Sequence, residues 1–274
     1  MKKRLSAFVV TLCTLAICIP SISVNIKDLS SKTAVESIEA KNVSVETSKK
    51  LRESNSFKNS GGYKSQVYAK SDHRSVEGLD CDLSYPVINN QNTEIEQAVN
   101  DRIKKDVDSF YDKNKKSADK ESLYLKESDS KYEAKTSFEV KKNTKYVLSM
   151  IIEYYSYTGG AHGYYEDKAY NIDMYSGDIL NLCDLFEDNQ DYKELINKEI
   201  KEQIDYIGKN DGGSEVFQFK SISRNQKFYI ENGNLVVYFD LYDIAPYAAG
   251  IPTFTINSDK ILPMVKDKYV ELFT

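Results

Sequence analysis

The stretch YVLSMIIEYYSYTGGAHGYYEDKAYNIDM, residues 146–174, predicts two β-strands that meet at a glycine-rich loop. Residues 146–157 consist mainly of β-branched, aromatic and other apolar side chains, which favour strands. Glycines interrupt this run within residues 159–163, and residues 164–174 return to a strand pattern. Upstream, residues 131–140 alternate between apolar and polar side chains and lead into a turn signal at 142–144. Three strands with short connections predict an antiparallel meander.

Two amphipathic helices are predicted, one on each side of this meander. The first follows the capping-box sequence Thr93-Glu94-Ile95-Glu96 and carries apolar residues at helical spacing as far as Tyr111. The charged stretch Lys113–Glu121 is interpreted as a solvated loop that ends this helix. The second helix is predicted over residues 191–207, with isoleucines and a leucine on one face.

The remaining strands complete an α+β pattern. Residues 63–70 and 79–88 read as strands before the first helix, and residues 227–230 and 235–241 flank Asn232-Gly233, a strong hairpin signal. A last strand at 253–256 precedes a short C-terminal helix. The order β-β-α-β-β-β-α-β-β-β-α predicts an α+β fold, in which antiparallel β-sheets pack with one amphipathic helix per module.

The N-terminus has the pattern of a targeting segment. Three positive charges within residues 1–4 precede an uncharged apolar run from Leu5 to Ile26. Residues 1–23 therefore predict a signal peptide that is cleaved after Ser23, or else an uncleaved membrane anchor, with membrane contact only through residues 5–26. Both alternatives place the rest of the chain outside the cytoplasm, secreted or anchored at the cell membrane. The polar residues 24–62 predict a disordered stalk.

The composition limits the partners and the covalent chemistry. Without the three basic residues of the targeting segment, 34 basic and 42 acidic residues remain, a net charge of −8. Such a surface is a poor partner for nucleic acid. Cys81 and Cys183 are the two cysteines beyond the targeting segment, and they form either one disulfide or two buried thiols.

Three motifs carry a family resemblance in their order along the chain. They are Tyr157-Thr158-Gly159-Gly160-Ala161-His162-Gly163, then Asp178–Phe186 leading into a helix, then Tyr242-Asp243-Ile244-Ala245-Pro246-Tyr247-Ala248-Ala249-Gly250. This arrangement resembles the extracytoplasmic, DUF3298-like region of RsiV-type anti-sigma factors. The strand with Tyr85-Pro86-Val87-Ile88 and the helix after it resemble the DUF4163-like module that precedes the catalytic domain of PdaC-type peptidoglycan deacetylases.

The resemblance implies two modules and a partner. It places a PdaC-type N-terminal module at residues 63–145 and an RsiV-type C-terminal module at residues 146–274. Only four residues precede the apolar run and no deacetylase domain follows, so neither sigma-factor binding nor deacetylation is expected. The RsiV-type ectodomain binds lysozyme, and the resemblance implies a lysozyme-like partner here, with peptidoglycan as the other ligand considered.

His162 is the strongest candidate for a catalytic residue. In a glycine-rich loop it could act as a general base, if the fold brings Asp167, Asp173 or Asp243 next to it. The alternative is that the glycines shape a tight reversal and the imidazole hydrogen-bonds the loop backbone. No metal-ligand spacing is present and no cofactor is expected.

The tyrosines around the two glycine-containing motifs are candidates for recognition. Exposed tyrosines combine a rigid contact area with a hydrogen-bonding tip, which suits proteins and sugars. Packing is the alternative, in which Tyr154 and Tyr164 face the opposite way from Tyr155 and Tyr165, and the Pro246 motif is a structural turn that needs Gly250. The predicted binding residues are Tyr157, Gly159, Gly160, His162, Tyr164, Tyr242 and Tyr247.

Together these features predict an exported, non-enzymatic binding module of a bacterial cell surface. It would recognise a protein such as lysozyme, or a cell-wall glycan. The acidic surface suits a cationic partner, because charge complementarity speeds encounter. The alternative is a hydrolase that acts on the cell wall and uses His162 as its base.

Overall fold

A computed structural model describes residues 64–273, apart from 129, 189, 211, 212, 214 and 215. The predicted targeting segment at 1–23 and the predicted stalk at 24–62 lie outside these residues. Within the described part, no helix combines the length and the apolar character that a membrane crossing requires.

A five-stranded sheet forms the first half of the fold. Its strands are β1 (Gln66–Val76), β2 (Leu79–Asn89), β3 (Tyr132–Asn143), β4 (Val147–Tyr157) and β5 (Tyr164–Asp173), in the spatial order β1-β2-β3-β4-β5. The predicted antiparallel meander is confirmed for β3, β4 and β5. The pair β2–β3 is parallel, because the chain crosses over through a helix between them.

Helix α1 (Thr93–Lys120) packs on one face of this sheet, which we name the front face. Its cap is the Asn92 side chain, which accepts from the backbone N–H groups of Glu94 and Ile95, so the predicted Thr93 cap is off by one residue. The predicted loop at Lys113–Glu121 is wrong, since α1 continues through Lys120, and a short helix, α2 (Ser122–Glu127), follows. The first core comprises Leu79, Leu83, Ile95, Val99, Ile103, Val107, Leu148, Met150, Ile152, Tyr170 and Ile172, among others.

A three-stranded antiparallel sheet forms the second half. Its strands are β6 (Phe228–Glu231), β7 (Asn234–Tyr238) and β8 (Thr253–Ile256), and helices α3 (Tyr192–Asn210) and α4 (Ser258–Ile261) flank it. The predicted hairpin is confirmed, with positive φ of 50° at Asn232 and 75° at Gly233 between β6 and β7. The second core comprises Val147, Leu182, Leu185, Phe186, Ile196, Ile200, Phe228, Ile230, Leu235, Val237, Phe254, Ile256 and Leu272, among others.

Strands β4 and β5 are shared between the two halves. Their front-face side chains belong to the first core, whereas Ile151 and Ala169 on the back face pack with Tyr229 and Tyr238 of the second sheet. The module boundary predicted between residues 145 and 146 therefore lies between two paired strands of a single sheet. The sequence pattern identified the strands but not their common sheet, because strand pairing across a helix leaves no local signal.

A buried polar network joins the two sheets. The Ser149 hydroxyl of β4 donates to Asn171 Oδ1 of β5 at 2.7 Å and accepts from the Ile230 N–H of β6 at 3.0 Å. Asn171 Nδ2 donates to the Phe228 carbonyl of β6 at 2.7 Å. The side chains of Ser149 and Asn171 are buried, so each bond satisfies a polar atom that is costly to leave unpaired.

The tyrosines of β4 and β5 divide between the two faces as predicted. Tyr155 is the cross-strand partner of Tyr165 on the back face, and Tyr164 pairs with Ser156 on the front face. Tyr154 lies on the front face, where its ring meets Phe110 of α1 edge-on.

Candidate functional site

The structure brings the two glycine-containing motifs together at the end of the β4–β5 hairpin. The His162 ring stacks on the Tyr247 ring, with 3.9 Å between ring centroids and 24° between ring planes. The Tyr247 hydroxyl donates to the Gly163 carbonyl at 2.9 Å. The Tyr165 ring meets the Tyr247 ring edge-on, with 6.3 Å between their centroids. The centroid of the Tyr242 ring lies 5.9 Å from that of Tyr247. We name His162, Tyr165, Tyr242 and Tyr247 the aromatic cluster.

The glycine loop gives the cluster its shape. Gly159 and Gly160 adopt φ of 85° and 103°, a region that is strained for residues with a Cβ atom. The Tyr157 hydroxyl donates to the Gly160 carbonyl at 3.0 Å and closes the loop. Gly163 is required for a different reason, since a Cβ there would lie 2.3 Å from the Tyr155 ring. The loop backbone thus packs against one tyrosine and is hydrogen-bonded by two others.

The second motif presents Tyr247 from a short turn. Pro246 precedes a 3₁₀ turn at Tyr247–Ala249, and Gly250 ends it with φ 70° and ψ −154°, a conformation reserved for glycine. Tyr242 also has a positive φ of 71°, which is uncommon for a tyrosine. Its side chain is 41% exposed. A backbone held in such conformations fixes the direction of the rings, as a preformed recognition surface requires.

Among the described residues, the His162 ring has no carboxylate as a hydrogen-bond partner. Its Nδ1 lies 2.9 Å from the Gly163 carbonyl, and no carboxylate of the described residues hydrogen-bonds to the exposed ring. Asp173 binds the Tyr269 hydroxyl, and Asp243 accepts from the Asp240 N–H. Asp167 lies on the back face beside Glu153. The geometry fits the alternative in which the imidazole hydrogen-bonds the loop backbone.

The predicted binding residues do not all share one surface. His162, Tyr242 and Tyr247 form the aromatic cluster, and Tyr157, Gly159 and Gly160 build the loop beside it. Tyr164 lies apart from them, because it occupies the front face of β5. Tyr165, one of the tyrosines around the glycine loop but not one of the predicted binding residues, takes a place in the cluster.

A pair of carboxyl groups beside the cluster was missed in the sequence. Glu153 and Asp167 are cross-strand neighbours on the back face, one pair away from Tyr155 and Tyr165. Burial, together with the neighbouring Glu153, raises the pKa of Asp167 to about 7. Only the strand register reveals such a pair, because 13 intervening residues separate the two in the chain.

The Asp167 carboxyl predicts a pH-dependent stability. The folded state favours the protonated form of Asp167. Its contribution to the free energy of unfolding is therefore complete below pH 4 and is lost as the pH rises to about 7. Glu153 and Asp240 strengthen the effect, whereas Lys227 and Lys141 oppose it. We expect Asp167→Asn to raise the free energy of unfolding at pH 8 by about 2 kcal/mol and to leave it unchanged near pH 4. Urea unfolding at several pH values measures the difference, and an equal effect at both pH values would contradict it.

The two cysteines do not form the disulfide that was one of the alternatives. Cys81 is a free thiol on β2 in the first core, where burial raises its pKa to about 11. Cys183 is a free, half-buried thiol in the 3₁₀ turn at Leu182–Leu185, beside the second core. In the described part of the chain, no three His, Cys, Asp or Glu side chains cluster as metal ligands.

Comparison with known proteins gives two matching family models. Residues 70–165 match the model described as deacetylase PdaC, and residues 183–259 match a protein family of unknown function, DUF3298. The peptidoglycan-N-acetylmuramic acid deacetylase PdaC of Bacillus subtilis is 23% identical over 193 residues, which cover 69% of this chain and 39% of that protein. The anti-sigma-V factor RsiV of the same species is 31% identical over 170 residues, which cover 54% of this chain and 59% of that protein.

Solved structures share the fold. A DUF3298 family member from Bacteroides fragilis superposes with a TM-score of 0.59 at 19% identity, covering 77% of this chain and 96% of that one. A second, from Pseudomonas aeruginosa, gives a TM-score of 0.54 at 15% identity and covers 78% of this chain and 99% of that one. The order of a PdaC-type region followed by a DUF3298 region thus agrees with the order of the sequence motifs.

Proposed function

We propose that this chain, which joins a PdaC-type region to a DUF3298 region, is an exported binding protein of a bacterial cell surface without catalytic activity of its own. The observation that carries the proposal is the aromatic cluster, in which His162 and Tyr247 stack at the end of the β4–β5 hairpin. The partner is a protein such as lysozyme, and the similarity to RsiV supports this choice.

The cluster has the chemistry of a recognition surface. Tyrosine rings dominate the centres of protein interfaces, because they bury much area with little loss of side-chain entropy. The rings are fixed by the Tyr247–Gly163 hydrogen bond and by the glycine backbone, so binding would require little reordering. The exposed carboxylate of Asp243, next to Tyr242 in the chain, favours a cationic partner.

Hydrolysis fits the geometry less well than binding. A histidine base needs an orienting partner and a nearby substrate position. The ring of His162 instead lies flat on Tyr247, with Nδ1 directed at a backbone carbonyl. The hydrolase alternative therefore rests on the residue type alone.

Tyr247 is the residue that tests the proposal. We expect the purified full-length chain to bind a basic animal lysozyme, and Tyr247→Ala to weaken that binding about 30-fold, because it removes the ring at the centre of the cluster. Tyr247→Phe keeps the ring stack and removes only the bond to the Gly163 carbonyl, so we expect a smaller loss. Isothermal titration calorimetry measures both.

The matched control is Tyr68→Ala, which removes a tyrosine that is 54% exposed on β1, at the opposite edge of the sheet from β5. It should leave the affinity unchanged. Equal affinities of Tyr247→Ala and the unaltered chain would contradict the role of the cluster. Binding to purified peptidoglycan but not to lysozyme would replace the protein partner by a wall glycan, and turnover of peptidoglycan that disappears in His162→Ala would establish the hydrolase.

A further inference from the structure

A groove on the front face lies between the C-terminal half of α1 and the strands β4 and β5. Its volume is about 250 Å³, and Lys113 and Asn114 line it from the helix, while Tyr154, Ser156 and Tyr164 line it from the strands. Drug-sized ligands occupy pockets of roughly 300–1,000 Å³, so this groove suits a smaller group such as a single ring. The aromatic cluster contains the back-face residue Tyr165, so the groove and the cluster are separate surfaces.

Asn114 is a polar residue in an apolar position. It continues the buried stripe of α1, in which Ile103, Val107 and Ala118 are apolar, and it is only 4% exposed. Its Nδ2 donates to the Phe110 carbonyl at 2.9 Å, whereas its Oδ1 has no hydrogen-bond partner within the described chain. An amide in this position costs stability that leucine would not. A ligand that donates a hydrogen bond would satisfy this acceptor in the groove.

Most charges around the groove neutralise one another. Asp106 accepts from the Tyr170 hydroxyl at 2.7 Å and pairs with Lys168 at 2.7 Å, and Glu166 lies 3.2 Å from Lys227, which also pairs with Asp240. The Lys113 ammonium is different, since it forms no ion pair with any described residue.

The hydroxyl groups of the groove are also available. Ser109 on α1 and Ser156 on β4 line it, and neither hydroxyl makes a hydrogen bond to a described residue. With respect to the described residues, the groove thus offers one free acceptor, two free hydroxyls and one free cation beside the rings of Tyr154 and Tyr164. Aromatic surface combined with several hydrogen-bonding groups suits a ring with hydroxyl substituents.

We propose that this groove binds one sugar ring that carries a carboxylate, as part of an acidic glycan. The hydroxyls of the sugar bond to Asn114 Oδ1 and to the two serines, its C–H face contacts the tyrosine rings, and its carboxylate pairs with Lys113. This inference goes beyond the proposed function, because the ligand is a saccharide and the surface is not the aromatic cluster.

Two pairs of sugars test the assignment, each differing by one carboxylate. They are N-acetylmuramic acid against N-acetylglucosamine, and glucuronic acid against glucose, observed by saturation-transfer NMR with the full-length chain. We expect at least one acid to bind about 10-fold more tightly than its neutral counterpart. Lys113→Gln should abolish this preference, whereas Lys116→Gln, on the exposed side of the same helix, should retain it. Binding of neither acid, or equal binding of acid and neutral sugar, would overturn the proposal.

Asn114→Leu separates a ligand-binding role from a structural one. We expect it to weaken sugar binding about 10-fold while the melting temperature stays the same or rises, because leucine suits the buried stripe of α1. Unchanged sugar binding in this variant would contradict the role of the amide. Tyr247→Ala should bind the sugar normally and Asn114→Leu should bind lysozyme normally, so failure at one surface is distinguishable from failure at the other.

Discussion

Asn171→Ala is expected to lower the free energy of unfolding by about 3 to 4 kcal/mol, because this one side chain on β5 satisfies polar groups of two other strands. Its Oδ1 accepts a hydrogen bond from the Ser149 hydroxyl of β4, and its Nδ2 donates to the Phe228 carbonyl of β6, both at 2.7 Å. Alanine would leave that carbonyl and that hydroxyl without these partners in the space between the two sheets. It would also open a small cavity, because Asn171 is only 3% exposed.

Urea unfolding measures this loss, and a double-mutant cycle with Ser149→Ala tests its origin. The two residues share a hydrogen bond, so the double variant should lose less than the two single losses combined. Ser137→Ala is the matched control, since this serine lies exposed on β3 and should change stability by less than about 0.5 kcal/mol. Strictly additive losses for Asn171 and Ser149 would show that the network does not act as a unit.

Gly163→Ala is expected to weaken lysozyme binding about 100-fold, more than the loss of any single ring of the cluster. The new Cβ atom would lie 2.3 Å from the Tyr155 ring, so either the ring or the loop must move. The Gly163 carbonyl, which accepts from Tyr247 and lies 2.9 Å from His162 Nδ1, would move with the loop. One methyl group would therefore misplace several contact groups together, at a stability cost of about 1 to 3 kcal/mol.

Gly159→Ala provides the comparison within the same loop. Its φ of 85° makes alanine strained, but the added Cβ would meet no atom within 4 Å. We expect a stability loss of about 1 kcal/mol and nearly unchanged affinity. Calorimetric titration and thermal unfolding of both variants give the two quantities. If Gly159→Ala weakened binding as much as Gly163→Ala, loop strain rather than displacement of Tyr155 would explain the effect.

The sequence was sufficient for those features that depend on short-range patterns. Alternation over residues 131–140 and the glycine break at 159–163 predicted the meander, and Asn232-Gly233 predicted the β6–β7 hairpin. The division of four tyrosines between two faces followed from the strand period of two residues. The sequence also identified the two motifs of the candidate site. That they touch through His162 and Tyr247 became visible only in the structure.

Features that depend on pairing over long distances were not predictable. The parallel β2–β3 pair and the sheet that crosses residue 145 depend on the path of the helix between them. The stretch after Lys113 was read as a loop because it is highly charged, yet Lys115 and Asp119 form an ion pair one turn apart at 2.7 Å and support the helix there. The groove was missed for the same reason, since Lys113 and Asn114 lie in this stretch.

The two-sided packing of β4 and β5 limits how the two family regions can be recombined. A fragment that ends after β3 would lack the strands β4 and β5, against which α1 packs. A fragment that begins at β4 would lack α1 and would expose Leu148, Met150 and Ile152 to water. The β4–β5 hairpin therefore contributes to the packing of both halves. A fragment of either region that is transferred to another protein must therefore include residues 147–173, which comprise β4, the glycine loop and β5.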